Sequence, residues 1–380
     1  MALAPIVFIA TLLHLYIGWR LGSSLTDLPW ALATLIVLLI ASAVAMPLGM
    51  MTRGMHSKPL ADRVAWAGML FMGFFSSLFV LTIARDVVLL AVAAIGMVAS
   101  TGTAYAEIAV LSARAVPLIA LAITTWGFLN ARRTAKVVRV DVPIAGLPAA
   151  LSGFTIAQIS DVHVGPTIKQ RYVTAIVERV NALNADMVAL TGDLVDGTVP
   201  DLSSHVAPLG LLRSRHGSFF VTGNHEYYSG APAWIREFRR LGMTVLLNEH
   251  VVVGHDGAKL IAAGVTDFSA GHFDPSTRSD PAAALAGAPA DADMKLLLAH
   301  QPRSAAAASD AGFDLQLSGH THGGQFWPWN LFVPMQQPYT AGLHRLKKLW
   351  VYTSRGTGYW GPPKRFGAPS EITLLTLVPV

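Results

Sequence analysis

Seven side chains in five short runs have the types and spacing to do chemistry. They are Asp161 and His163 in Asp161-Val162-His163, Asp193 after Gly192, Asn224 in Gly223-Asn224-His225-Glu226, His300, and His320 and His322 in Gly319-His320-Thr321-His322. Together they offer two carboxylates, one amide and four imidazoles. Mixed oxygen and nitrogen donors suit Mn, Fe, Zn, Co or Ni better than Ca or a closed zinc knuckle. The chain has no cysteine, which excludes disulfides, thiolate sites and Cys nucleophiles. Seven donors are too many for one tetrahedral ion and suit two ions sharing a bridging carboxylate, for which Asp193 is the candidate. Two ions about 3.5–4 Å apart clamp the attacking and leaving oxygens of a phosphoryl centre. Taken singly, each run has an ordinary reading. Asp-x-His ends a strand in a turn, Gly-Asn-His-Glu is a helix cap, and His300 is a core histidine. The conjunction of five carries the metal reading.

Each run follows an apolar, strand-like segment. Phe154 to Ile159 leads to Asp161, and Asp186 to Leu190 leads to Asp193. Ser218 to Thr222 leads to Gly223, Met294 to Ala299 to His300, and Phe313 to Leu317 to Gly319. Further strands are expected at Val137 to Val142, Val245 to Leu247, Lys259 to Ala263, Leu349 to Thr353 and Ile372 to Val378. Tyr172 to Leu183 and Trp234 to Leu241 have helical periodicity. Strands alternate with helices early and dominate late, which predicts an α+β sandwich of two sheets flanked by helices. The Ala-, Pro- and Asp-rich run from Ala282 to Ala292 reads as a surface loop.

The first 130 residues are different. Charged residues make up 13% of the chain, about half the usual ~25%, and this half holds few of them. Eleven of the thirteen histidines lie at or beyond His163. Leu3 to Trp19, Trp30 to Met51 and Val64 to Ile83 are each apolar over about 20 residues, the length of a membrane span. Val87 to Ser100 and Val116 to Asn130 are shorter, giving four or five helices over residues 1–131. The first stretch lacks a basic start and a cleavage site, so it reads as an uncleaved helix. Arg53, Lys58 and Arg63 mark one loop as cytoplasmic, as do Arg132, Arg133, Lys136 and Arg139 the segment after the last helix. Both hold with four spans, which would place the second half in the cytoplasm. The net charge of +5 is largely juxtamembrane, so anionic lipid rather than nucleic acid is the expected partner.

The five blocks in order resemble the calcineurin-like metallophosphoesterases. Ser160-Asp161-Val162-His163-Val164-Gly165, Gly223-Asn224-His225-Glu226-Tyr227-Tyr228 and Ser318-Gly319-His320-Thr321-His322-Gly323-Gly324-Gln325 resemble the bacterial transmembrane subfamily more closely. So do Ser354-Arg355-Gly356-x-Gly358 and Glu371. The resemblance covers residues 136–380 and implies a four-layer αββα sandwich there. It also implies two divalent ions. One would be held by Asp161, His163, Asp193 and His322, the other by Asp193, Asn224, His300 and His320, with water or hydroxide between them as nucleophile. His225 would protonate the leaving oxygen and Asp196 would orient His225, while Glu226 would support the site without binding metal. His205, His216, His250, His255, His272 and His344 match no block and read as surface residues.

The expected activity is hydrolysis of a phosphodiester, phosphomonoester or pyrophosphate by a membrane-anchored enzyme, with a lipid-linked substrate as the finer reading. Gln325 to Phe332, rich in Trp and Phe, would lie in the membrane interface, and Arg345, Lys347 and Lys348 would hold phosphates. The rivals are a tethered phosphatase or phosphodiesterase for soluble nucleotides or phosphoproteins, and a non-catalytic metal-dependent scaffold. The presence of His225 weighs against the scaffold.

Overall fold

The computed structural model describes residues 3–52, 55, 57–99 and 102–380. Arg53, used above to orient a loop, lies outside the described residues. The chain divides into two compact units. One is Met1–Leu129 with Gly361–Phe366, the other Asn130–Trp360 with Gly367–Val380.

The first unit is helical: α1 (Leu3–Gly22), α2 (Pro29–Met50), α3 (Lys58–Ala99) and α4 (Gly102–Arg132). Three of these are long and apolar enough to cross a membrane, over Pro29–Met50, Lys58–Gly96 and Tyr105–Arg132. The break expected at Arg85 and Asp86 does not occur. Val64 to Ile83 and Val87 onward are one helix of 42 residues, about 63 Å long at 1.5 Å per residue. Hydropathy registers the two charges as an interruption, but a helix backbone is indifferent to them when neighbours satisfy the side chains. Here they do. Arg85 Nε donates to Ser112 Oγ (3.0 Å), Nη1 to the Arg20 carbonyl (3.1 Å), and Nη2 to Ser24 Oγ (3.0 Å) and the Ala109 carbonyl (2.9 Å). Asp86 accepts from Tyr16 Oη (2.6 Å) and Arg20 Nε (2.7 Å). Among the described residues this gives four helices, not five. The segment Gly361–Phe366 belongs to this unit. Lys364 Nζ donates to the Gly73 carbonyl (2.9 Å) and to Ser77 Oγ, and the Arg365 N–H to the Gly127 carbonyl (2.8 Å).

The second unit is a sandwich. Its strands are β1 (Lys136–Ile144), β2 (Thr155–Ile159), β3 (Met187–Leu190), β4 (Ser218–Phe220), β5 (Thr244–Val245), β6 (Glu249–His255), β7 (Ala258–Gly264), β8 (Met294–Leu298), β9 (Leu315–Ser318), β10 (Gly342–Leu346), β11 (Leu349–Thr353) and β12 (Glu371–Pro379). They form two six-stranded sheets, ordered β1-β12-β2-β3-β4-β5 and β10-β11-β9-β8-β7-β6. Helices α5 (Gln170–Asn181), α6 (Val199–Val206), α7 (Asn224–Ser229) and α8 (Ala231–Arg240) follow the early strands.

Burial on both faces explains the unbroken apolar run of β3 and the mainly apolar β2, whose buried Gln158 donates from Nε2 to Thr191 Oγ1 and to the Ser318 carbonyl, each at 2.9 Å. Met187 and Ala189 face the second sheet and pack with Leu260, Leu296, Leu298 and Leu315. Val188 and Leu190 point the other way, onto Val173, Ile176 and Val180 of α5 and Trp234 and Phe238 of α8. A third core, with Ala263, Leu297 and Val351 against Ala305, Ala308 and Phe313, covers the far face of the second sheet. The result is the four-layer αββα arrangement.

Two strands were not expected from sequence, β6 and β10. Both are edge strands whose exposed sides carry His, Glu or Arg, so the apolar signal is weak. The basic run is therefore a hairpin. Arg345 lies over the Trp350 ring and Lys347 Nζ pairs with Asp310 at 2.9 Å. His255 is a second correction. It is buried, with its Nδ1 2.9 Å from His216 Nε2 and its ring edge-on to Phe154.

Candidate metal centre

Parallel pairing places the chemistry. β2, β3 and β4 run parallel in one sheet and β8 and β9 in the other. The loops after all five strands carry Asp161 and His163, Asp193, Asn224, His300, and His320 and His322 respectively. The carboxyl ends of parallel strands face one edge, so residues far apart in sequence meet there.

The loops are tight. Asp161, His163, Asp193, His320 and His322 all have positive φ, between 52° and 70°. This conformation is uncommon for residues with a Cβ and clusters at functional sites. Two glycines permit the close approach. A Cβ on Gly319 would lie 1.9 Å from Ser160 Oγ and 2.2 Å from Asp161 Oδ2, and one on Gly223 would lie 2.2 Å from Asp193 Oδ1.

The donors form two clusters that converge on one carboxylate. In the first, His163 Nε2 and His322 Nε2 are 3.0 Å apart, and His322 Nε2 is 3.4 Å from Asp161 Oδ1. In the second, His320 Nδ1 is 3.2 Å from His300 Nε2 and 3.0 Å from Asn224 Oδ1. Asp193 Oδ2 lies 3.1 Å from His300 Nε2 and 3.9 Å from His163 Nε2. These spacings fit an ion. Two nitrogens each about 2.1 Å from one ion stand about 3.0–3.4 Å apart at octahedral or tetrahedral angles. His300 Nδ1 is 2.7 Å from the Thr191 carbonyl, which fixes its proton there and leaves Nε2 as the donor atom.

His225 stands beside the clusters. Its backbone N–H donates to Asp193 Oδ1 (2.8 Å), its Nδ1 is hydrogen-bonded to Asp196 Oδ1, and its Nε2 lies 4.0 Å from Asp193 Oδ2. Asp196 also reaches His163, with Oδ2 3.2 Å from Nδ1. One carboxylate thus faces both the residue expected to donate a proton and one expected to bind metal, a double role the sequence did not indicate.

Electrostatics separates the groups. Burial would lower the His225 pKa, but the charges of Asp193 and Asp196 outweigh it and raise it to about 9. The two carboxylates thus favour the protonated imidazole. Burial and the charge on His300 pull His320 down to about 3, which keeps it an acceptor. Burial would raise Asp193, but His300 and His225 hold it well below the usual range.

Glu226 touches no cluster nitrogen. Its carboxylate accepts the backbone N–H groups of Gly223 (2.7 Å), Asp193 (2.9 Å) and Leu194 (2.8 Å). It ties the Asp193 loop to the start of α7, so the Gly-Asn-His-Glu run is at once a helix cap and part of the site. Burial and the Asp193 charge push its carboxyl up to about 8, against the pull of those donors.

Fold and donor set together define a class: an αββα sandwich whose strand ends carry clusters able to hold divalent metal. Residues 154–324 match the calcineurin-like phosphoesterase family. The chain is 37% identical over 268 residues to the "Transmembrane protein with metallophosphoesterase domain" of Danio rerio, and 39% identical over 277 residues to the protein of that name in Bos taurus. Those alignments cover 68% and 69% of this chain but only 61% and 62% of the relatives' length. It is also 31% identical to the "Uncharacterized metallophosphoesterase YkuE" of Bacillus subtilis, over 61% of this chain and 81% of the relative. The chain belongs to the calcineurin-like phosphoesterase family. That family hydrolyses phosphoesters and uses divalent metals.

Proposed function

We propose that this protein is a membrane-anchored phosphoester hydrolase with a dinuclear metal centre. The observation that carries the proposal is the convergence of two imidazole pairs, at ligand spacing, on Asp193, with the Asp196–His225 pair alongside. One divalent ion among Asp161, His163, Asp193 and His322, and another among Asp193, Asn224, His300 and His320, would neutralise the phosphoryl charge and activate a water. His225 gives its Nε2 proton to the leaving oxygen. Asp196 accepts from Nδ1, so the imidazole stays turned towards the phosphoryl group. Glu226 holds the Asp193 loop in its strained conformation.

The domain reading is a helical anchor over 1–131 and a hydrolase domain over 136–380, with the latter cytoplasmic. The finer substrate reading is a phosphodiester or pyrophosphate linked to lipid. It is supported by the half-exposed Trp327, Trp329 and Phe332 and the exposed Leu331 and Met335 after the His322 loop, since amphipathic rings favour a membrane interface.

The test uses the full chain in detergent, stripped of metal and then given Mn. Metal-dependent turnover of bis-p-nitrophenyl phosphate or p-nitrophenyl phosphate is expected, and the preferred ester separates diesterase from monoesterase. Absence of turnover with any divalent metal, although two ions bind, would sink the hydrolase reading and favour a scaffold.

A further inference from the structure

His225 is enclosed by rings. Tyr228 and Trp360 meet its imidazole edge-on, with centroids 5.3 Å and 5.5 Å away at 78° and 72°. They come from different places, Tyr228 from α7 and Trp360 from the loop after β11. Phe273 continues the surface, 5.5 Å from the Tyr228 ring. Tyr228, Trp360 and Phe273 are 53%, 54% and 49% exposed. Large apolar rings left half in water, grouped at one spot beside a reactive residue, mark a ligand surface.

Trp360 is held there on purpose. The Gln325 side chain takes both polar groups of its backbone: the Trp360 N–H donates to Oε1 and Nε2 donates to the Trp360 carbonyl, each at 2.8 Å. Gln325 is itself buried and adopts φ 55°, a conformation uncommon for a residue with a Cβ. A buried, strained amide therefore fixes a half-exposed ring.

Resting on the proposed hydrolase reading, we infer that Tyr228 and Trp360 form the leaving-group subsite, and that the substrate carries a bulky apolar leaving alcohol. In the reaction water oxygen bonds to phosphorus and the bond from phosphorus to the leaving oxygen breaks. The leaving oxygen takes the Nε2 proton of His225 and departs as a neutral alcohol, and the attacking water's proton restores His225. Asp196 occupies Nδ1, so the alcohol must approach Nε2, and the two rings that meet this imidazole are the apolar surface offered beside it. Rings and apolar groups bind there through their area and edges. A small alcohol or an inorganic phosphate leaving group gains nothing from them.

The test compares phenyl and 2-naphthyl phosphates, each as monoester and as methyl diester, on the Mn-loaded full chain in an aliphatic detergent. The wild type should show a KM about ten-fold lower for naphthyl than for phenyl, the scale of two ring contacts. Trp360→Ala and Tyr228→Ala should each shrink that ratio to about two-fold, because each removes ring contact with the substrate. Trp360→Phe should keep most of the preference. Gln325→Ala should lose part of it, as a positioning residue does. Calorimetric binding of 2-naphthylphosphonate should weaken in the same order, independently of turnover. An unchanged naphthyl-to-phenyl ratio in both Ala variants, or no naphthyl preference in the wild type, overturns the subsite. Wild-type inactivity on every ester sinks the hydrolase reading instead, and the phosphonate binding series still decides the subsite.

Discussion

Both units bury charge, and they treat it in opposite ways. In the helical unit, Arg85 is almost fully buried and its guanidinium meets two hydroxyls and two backbone carbonyls, with Asp86 adjacent. Arg85 and Asp86 are answered there by the protein itself. In the sandwich, imidazole nitrogens face one another at 3.0 Å and 3.2 Å, and two buried carboxylates, Asp161 and Asp193, stand among them. A self-contained network holds helices together. A set of lone pairs aimed at shared points holds something brought from outside. Burial alone distinguishes nothing; the direction in which the polar atoms point does.

Mutation can break this comparison. The largest effect is expected at Asp193, where both clusters meet. Asp193→Ala should reduce turnover to the level of the chelated wild type, and elemental analysis should find less bound metal. If Asp193→Ala keeps its metal and its activity, the two clusters do not share this carboxylate. His225→Ala should keep its metal yet lose about 10²–10⁴-fold in kcat. The loss should be smaller for a p-nitrophenyl ester, whose leaving group needs little help from an acid, than for an alkyl ester.

In the helical unit the effect should be on stability. Arg85→Ala leaves its acceptors buried and Asp86 with fewer partners, and should cost about 3 kcal/mol. Thermal unfolding in detergent would measure this, while turnover of a water-soluble ester at 20 °C should hold steady. A drop in turnover equal to that of a site variant would mean the two kinds of buried charge are not separable. Asp196→Asn, which weakens the orientation of His225 and His163 without removing either, should cost about 10–100-fold. Recovery of wild-type kcat in this variant would assign His225 another source of orientation.

The smallest effect is a pH dependence. Burial pulls Lys364 down to about 8 from 10.5. The native ammonium therefore loses its proton before the unfolded one, and the unfolded state binds more protons between those values. Stability should accordingly rise with pH from about 8 to 10.5, by about 1–2 kcal/mol once the two acceptors that hold the charged form are allowed for. Lys364→Met should abolish that slope. A wild-type slope of opposite sign would show that the charged form is the better-held one.

The sequence was most informative where one residue type has one local role. The runs ending at Asp161, Asp193, Asn224, His300 and His320 were legible because a strand buried on both faces is mostly apolar and its end is abrupt, the buried Gln158 and Gln316 being exceptions. Continuous helix through Arg85 was not legible, since charge in an apolar stretch looks like an end until its partners on α1 and α4 are known. The edge strands β6 and β10 were missed for lack of apolar alternation. His255 passed for a surface residue because nothing local announces Phe154 and His216.

Donor types, their order along the chain and the absence of cysteine are composition and spacing, so the sequence by itself determined which chemistry was open to this protein. The family resemblance, also written in those residues, added the division of labour. Only the tertiary structure decided that Asp193 Oδ2 lies within reach of both clusters, that Asp196 faces His163 as well as His225, and that Tyr228 and Trp360 both pack on the proton donor. Each of these joins residues on separate strands or loops. Sheet order and parallel pairing set such distances, and no local pattern encodes them.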